Sequence, residues 1–146
     1  MNDHPHIRVV PHNSDHYWQA VNLRHKILRE PLGMVFSEEE LGAEDQEYHC
    51  VYLMDDKVVG SINLRPSKNG VMKMRQVAVH SGFQKRGIGK ELVDFTEALA
   101  KSRGYTRMEC HARKVAVRFY RKLHYDIEGE EFEEITLPHF KMFRNL

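Results

Sequence analysis

Six consecutive residues, Gln84, Lys85, Arg86, Gly87, Ile88 and Gly89, are the clearest chemical feature of this chain. Residues 71–80 before them read as a β-strand, and residues 86–103 carry apolar positions at helical spacing. A strand that turns through two glycines into a helix presents a row of free main-chain N–H groups at the positive end of a helix dipole, which suits phosphate. Gly87 and Gly89 lack Cβ, so an anion can approach the backbone closely and a positive φ costs little. Gln84, Lys85 and Arg86 add side-chain donors beside the same spot. An ordinary glycine turn before a helix would use the same residues, and the hexapeptide alone does not choose between the two.

Other residues could move protons. His111 and Glu109 alternate onto one face of a strand-like run, where a carboxylate could orient an imidazole or form a purely structural pair. His139 follows Pro138, which stiffens the entry to its strand; His49 is a further imidazole with a suitable unperturbed pKa of ~6.5. Tyr120 shares helical spacing with Ala116, Phe119 and Leu123, and spacing alone makes it a core aromatic. The ten histidines invite a metal, but His12 and His16 lack the glutamate of a zinc-protease helix and the rest are scattered, so no metal site is expected. Cys50 and Cys110 lie in apolar runs and read as buried free thiols.

The elements that must position these groups follow from the same patterns. Residues 7–10 form a first strand. Ser14 or Asp15 caps a helix from about residue 16, with Trp18, Val21, Leu23, Ile27 and Leu28 as its apolar face and Pro31 as its end. Ser37, with Glu40 three residues on, caps a short helical piece. Residues 48–54 and 57–64 make a hairpin around Asp55-Asp56, and residues 71–80 extend the meander. The helix stopped by Gly104, a strand at 107–112, a helix at 114–123 and strands at 125–132 and 139–143 complete the chain. The strand–helix–strand unit from residue 71 to 112 requires a parallel pair, while the other neighbours are mostly antiparallel.

With 146 residues, one domain covering 1–146 is expected. A net charge of +1 gives no global field for nucleic acid. No apolar run is long enough to span a membrane, the N-terminus has no signal-peptide pattern, and a cytoplasmic protein is expected. The acidic runs at 38–47 and 128–134 read first as solvated loop surface, and second as a field drawing in a cationic amine.

The stretch Met74-Arg75-Gln76-Val77-Ala78-Val79-His80 followed by residues 84–89 resembles the pyrophosphate-binding motif of the GNAT superfamily of acyl-CoA N-acyltransferases. About thirty residues on, residues 116–125 are similar to its second signature helix and strand. The ending, residues 129–142, with Arg24, Leu32, Gly33 and Glu44, resembles an ElaA-like and YjcF-like bacterial subgroup. The resemblance implies a single α/β (α+β mixed) domain: a mostly antiparallel sheet with a central splayed parallel pair and helices on both faces. It implies acetyl-CoA as cosubstrate, with its pantetheine against Val77, Ala78 and Val79, its pyrophosphate on Gln84, Lys85, Arg86, Gly87, Ile88, Gly89 and Lys90, and Phe119 beside it. It further implies an oxyanion donor at the Val77 N–H, Tyr120 as acid, and His111 or His139 as candidate base. Arg113 stands where the family often has asparagine and could reach a cofactor phosphate or an acceptor carboxylate. His124 stands in place of a usual glycine. A small-molecule amine is the expected acceptor, with an acyl-CoA-binding module as the alternative and a homodimer through the last strands as an expectation.

Overall fold

The computed structural model describes residues 4–146. Eight strands form one sheet: β1 (Ile7–Val10), β2 (Tyr48–Met54), β3 (Lys57–Pro66), β4 (Val71–Val79), β5 (Arg107–Arg113), β6 (Asp126–Ile127), β7 (Phe132–Glu134) and β8 (Leu137–Asn145). Their order is β1-β2-β3-β4-β5-β8-β6, with β7 also on β8. Among the described residues only β4 and β5 run parallel; every other pair is antiparallel. Helices α1 (Asp15–Arg24) and α3 (Ile88–Ser102) cover opposite faces, while α2 (Glu38–Gly42) and α4 (Val117–Lys122) are short. The expected mixed sheet with helices on both faces is therefore present.

Local chemistry explains the elements. Asp55 (φ 51°) and Asp56 (φ 62°) both adopt the left-handed conformation that a two-residue hairpin requires. Ser14 caps α1 through the Tyr17 amide, and Ser37 and Glu40 close a reciprocal capping box on α2. On the α3 face, Leu92, Val93, Phe95 and Leu99 pack with Met72, Met74, Met108, Cys110 and Met142. On the α1 face, Ala20 and Leu23 pack with Val10, Val51, Val58 and Ala78. Burying these two faces supplies most of the driving force for the fold.

Three expectations need correction. The first helix does not run unbroken to Pro31: after Arg24 it widens into a π-helical turn at His25–Arg29 and tightens into a 3₁₀ turn at Glu30–Leu32. Of its expected apolar face Val21 and Leu23 are buried, but the i, i+3, i+4, i+7 stripe is Tyr17, Ala20, Val21 and Arg24, and Trp18 is left 43% exposed. The stripe was hidden because an arginine fills its fourth position. Residues 125–132 do not form one strand either. Gly129 (φ 86°) breaks the chain between β6 and β7, and Ile135 and Thr136, both at positive φ, turn β7 into β8. As a result β8 lies between β5 and the short β6 and β7 rather than at an open edge.

Candidate active site

The site is built around the place where the parallel pair stops pairing. β4 and β5 are in register from Val71↔Arg107 to Met74↔Cys110 and no further. Beyond that point β4 stays with β3, and β5 stays with β8 as far as Arg113↔His139. The cause lies in β4. Its register with β3 shifts between Ser61 and Asn63, and Gln76 takes φ 57°. This is a β-bulge, which bends the strand and reverses which side chains point to which face. Met72 and Met74 face α3 before it; Val77 and Val79 pack on that side after it, while Ala78 joins the α1-side cluster. The diverging edges leave main-chain groups in need of partners. The sequence carries this signal as a one-residue slip of the apolar alternation between Met74 and Val77.

A cleft of about 520 Å³ opens through the gap. On the α3 side Met74, Val77, Cys110, Ala112, Ala116 and Tyr120 line it. Tyr120 is 6% exposed, and its hydroxyl has no hydrogen-bond partner among the described residues. Burial pushes the phenol well above its ordinary pKa, with the neighbouring Cys110 thiol adding to the effect, so the group keeps its proton. Both cysteines are buried and free, and burial pushes each thiol up to about 12.

Beyond β4 the chain makes the glycine turn. Lys85 and Gly87 take left-handed φ values of 62° and 81°, and Gly87 caps α3 without any side-chain hydrogen bond. The first intrahelical bond runs from the Glu91 N–H to the Gly87 carbonyl, leaving the amides of Ile88, Gly89 and Lys90 at the open helix end. A Cβ on Gly87 would meet nothing within 4 Å, whereas one on Gly89 would lie 3.2 Å from the Phe119 ring. Phe119 thus lays α4 against the turn. The side chains of the turn are parked locally: Gln84 donates to the Val79 carbonyl (3.0 Å), Arg86 stacks over Phe83 (5.1 Å) and Lys90 pairs with Asp94 (2.7 Å).

The opposite wall is polar. His111 and Glu109 share a face of β5 but do not pair. Glu109 is held by Arg107 (2.8 Å), while His111 Nδ1 is 2.9 Å from Glu134 Oε1. His139, 3% exposed, has Nδ1 2.9 Å from the Leu137 carbonyl and Nε2 3.7 Å from the other oxygen of Glu134. A carbonyl or carboxylate can only accept, so each Nδ1 carries a proton; Nε2 of His111 is then left to accept, whereas Nε2 of His139 faces the Glu134 carboxylate. The β7–β8 turn makes this cluster by setting Glu134 between two histidines. Glu134 was missed because it sits in an acidic run that reads as loop surface. His49 is buried under α1, its Nε2 3.0 Å from the Glu44 carbonyl, and does not line the cleft.

The acidic run at 38–47 also departs from expectation at two of its members. Glu44 is buried against Arg24 (2.7 Å), and Glu47 binds both Arg65 and Arg75 (2.6 Å each) and accepts from Asn63 (2.9 Å). These carboxylates are neither solvated nor free to attract a cation. Arg113 lies on this wall, donating to the Leu28 carbonyl (2.8 Å) at the end of α1's extension. His124 takes φ 72°, the conformation a glycine would adopt more easily.

Among the described residues, no helix is long and apolar enough to cross a membrane, and no group of His, Cys, Asp or Glu gathers to hold a metal ion.

The profile of the Acetyltransferase (GNAT) family matches residues 15–125. The chain is 25% identical over 138 residues to the uncharacterized N-acetyltransferase YjcF of Bacillus subtilis, covering 94% of this chain and 98% of the relative. Escherichia coli ElaA has the same fold, with a TM-score of 0.81 at 16% identity over 94% of this chain and 97% of that one. An aminoglycoside 6'-N-acetyltransferase complexed with coenzyme A superposes at a TM-score of 0.79 with 18% identity, over 95% and 96% of the two chains.

Proposed function

This chain belongs to the acetyltransferase (GNAT) family, and from that premise we propose that it transfers an acetyl group from acetyl-CoA directly to the primary amine of a small molecule. The observation that carries the proposal is the end of β4–β5 pairing at Met74↔Cys110, immediately before a glycine turn with a free helix N-terminus. The residues present suit coenzyme A. Unpaired main-chain groups of residues 77–79 can take the amides of its pantetheine as a false strand. Three first-turn amides and the helix dipole can take its pyrophosphate, and space beside Gly87 admits it.

Acetyl-CoA, when bound, supplies the activated acyl group as a thioester. The chain's own residues do the rest. The Val77 N–H, re-aimed by the bulge, donates to the acyl oxygen as negative charge develops there. Tyr120, which keeps its proton, gives it to the departing sulfur. His111, through Nε2, or else His139, takes the proton of the attacking amine. Of the two, His111 is the more accessible, and Glu134 fixes its ring as a carboxylate fixes a catalytic histidine. Transfer is direct, because both thiols are buried and protonated and offer no nucleophile.

The test is acetyl-CoA-dependent release of free thiol across a panel of amines, alongside calorimetric titration with acetyl-CoA. Acceptor-dependent release is expected. Tight binding without release for any amine would favour a module that only holds acyl-CoA. A labelled acetyl-cysteine with ping-pong kinetics would overturn direct transfer.

A further inference from the structure

The α1-side wall of the cleft carries a surplus of positive charge. Five cationic side chains line it: Arg29, Arg65, Lys73, Arg75 and Arg113. Two carboxylates answer them, Glu40 on Arg29 and Glu47 shared between Arg65 and Arg75, so three positive charges stand unmatched. The other carboxylates of the lining are engaged elsewhere: Glu109 with Arg107 and Lys141, Glu134 with the two histidines. Lys73 has no ion-pair partner among the described residues, and Arg113 binds only a main-chain carbonyl. Arg113 is also half-buried beside Arg29; burial, and then that like charge, lower its pKa. Two neighbouring guanidinium groups, one without a counter-charge, form a pocket that favours an anion.

Coenzyme A does not explain this surplus. None of residues 84–90 lines this cleft. The basic residues instead share the wall with His111 and His139, where the amine must arrive.

We propose that the acceptor amine also carries an anionic group, a carboxylate or a phosphate, that is bound by Arg113 and favoured by the surplus positive charge of the wall, to which Lys73 contributes. This rests on the acetyltransfer reading above and names its substrate class. The wall disfavours polyamines and aminoglycosides, whose added positive charges would meet like charge. It also aids the chemistry, because a cationic surrounding lowers the pKa of a bound ammonium and releases the free amine for attack.

The test is calorimetry on CoA-loaded protein with matched pairs: the common amino acids against their carboxamides, and phosphoethanolamine against ethanolamine, with spermidine and an aminoglycoside as cationic probes. An anionic member is expected to bind roughly tenfold or more tighter than its neutral partner. Which pair shows the gap distinguishes carboxylate from phosphate. Arg113→Ala and, separately, the exposed Lys73→Ala should shrink the gap while the affinity for CoA stays unchanged. Preference for the neutral or polycationic members, no binding by any anionic member, or a gap untouched in folded Lys73→Ala and Arg113→Ala proteins would overturn the proposal. Failure of CoA itself to bind would strike the acetyltransfer reading first, and this one with it.

Discussion

The two faces of the splayed strands differ in what holds them. On the α3 face, Met72, Met74, Cys110, Tyr120 and Met142 belong to one apolar cluster, and the adjoining phosphate site is main chain at a glycine turn. On the α1 face a smaller apolar cluster is joined by ion pairs between separate segments: Arg24 with Glu44, Arg29 with Glu40, and Arg65 and Arg75 with Glu47. The first face offers features that suit a constant ligand, amides and shape. The second offers side-chain charges, which can be exchanged without rebuilding the sheet. On this view the α3 face handles the cosubstrate and the α1 face selects the acceptor.

The sharpest way to break that division is at Tyr120. Tyr120→Phe keeps the buried ring and removes a hydroxyl that has no partner among the described residues, so stability and CoA affinity should hold. The acetyl-transfer step, measured in single-turnover experiments, should slow by roughly 10²-fold or more. An unchanged chemical step would remove the acid role and leave the α3 face merely a holder.

Glu44→Ala should do the reverse, costing stability rather than chemistry. Glu44 is 2% exposed and binds the fully buried Arg24 through both oxygens, with Tyr17 also donating to it (2.9 Å). Removing one partner leaves a buried charge unanswered, a loss of about 3–5 kcal/mol in urea denaturation. A loss under about 1 kcal/mol would mean the pair behaves like an exposed one.

The difference between the faces also decides what could be read in advance. The glycine turn, the hairpin at Asp55-Asp56 and the caps at Ser14 and Ser37 are local: each is set by residues within a few positions, so sequence spacing is enough. The α1 wall is not local. Glu47 meets Arg75 across 28 positions and His111 meets Glu134 across 23. Nothing in the spacing of an acidic run says which of its members will be buried. Arg24 shows the same limit within a helix, where its charge masked the fourth position of an otherwise ordinary apolar stripe. The bulge at Gln76 lies between these cases, visible as a slipped alternation but only once a phase error is sought.

A smaller effect sharpens the comparison at the turn itself. Gly87→Ala adds a methyl to a residue at φ 81° with open space around it. The cost is therefore backbone strain, about 1–2 kcal/mol by urea denaturation. Weaker CoA binding by calorimetry should accompany it, because the methyl stands beside the free amides. Full CoA affinity in the variant would move the phosphate site elsewhere.

The smallest effect is in pH, and the loss on the acid side should come from the α1 face. Burial holds the His49 imidazole below its ordinary pKa; the charges of Glu44 and Glu47 and the nearby Asn63 side chain oppose this, and His12 reinforces it. In the unfolded chain the ring titrates near ~6.5. Below that value the unfolded state binds the extra proton, so the native state is at full strength above ~6.5 and weakens as the pH falls toward the folded value. On the α3 face the thiols are pushed to about 12 and the buried tyrosines, Tyr120 and Tyr125, higher still, while burial raises the pKa of the Glu97 carboxyl, which acts in the opposite sense, favouring the native state as the pH falls. The urea midpoint should therefore drop between pH 8 and pH 5.5, as estimated from the ordinary histidine range, and His49→Gln should flatten that drop. Equal slopes in the two proteins would remove His49 as the source of the acid sensitivity.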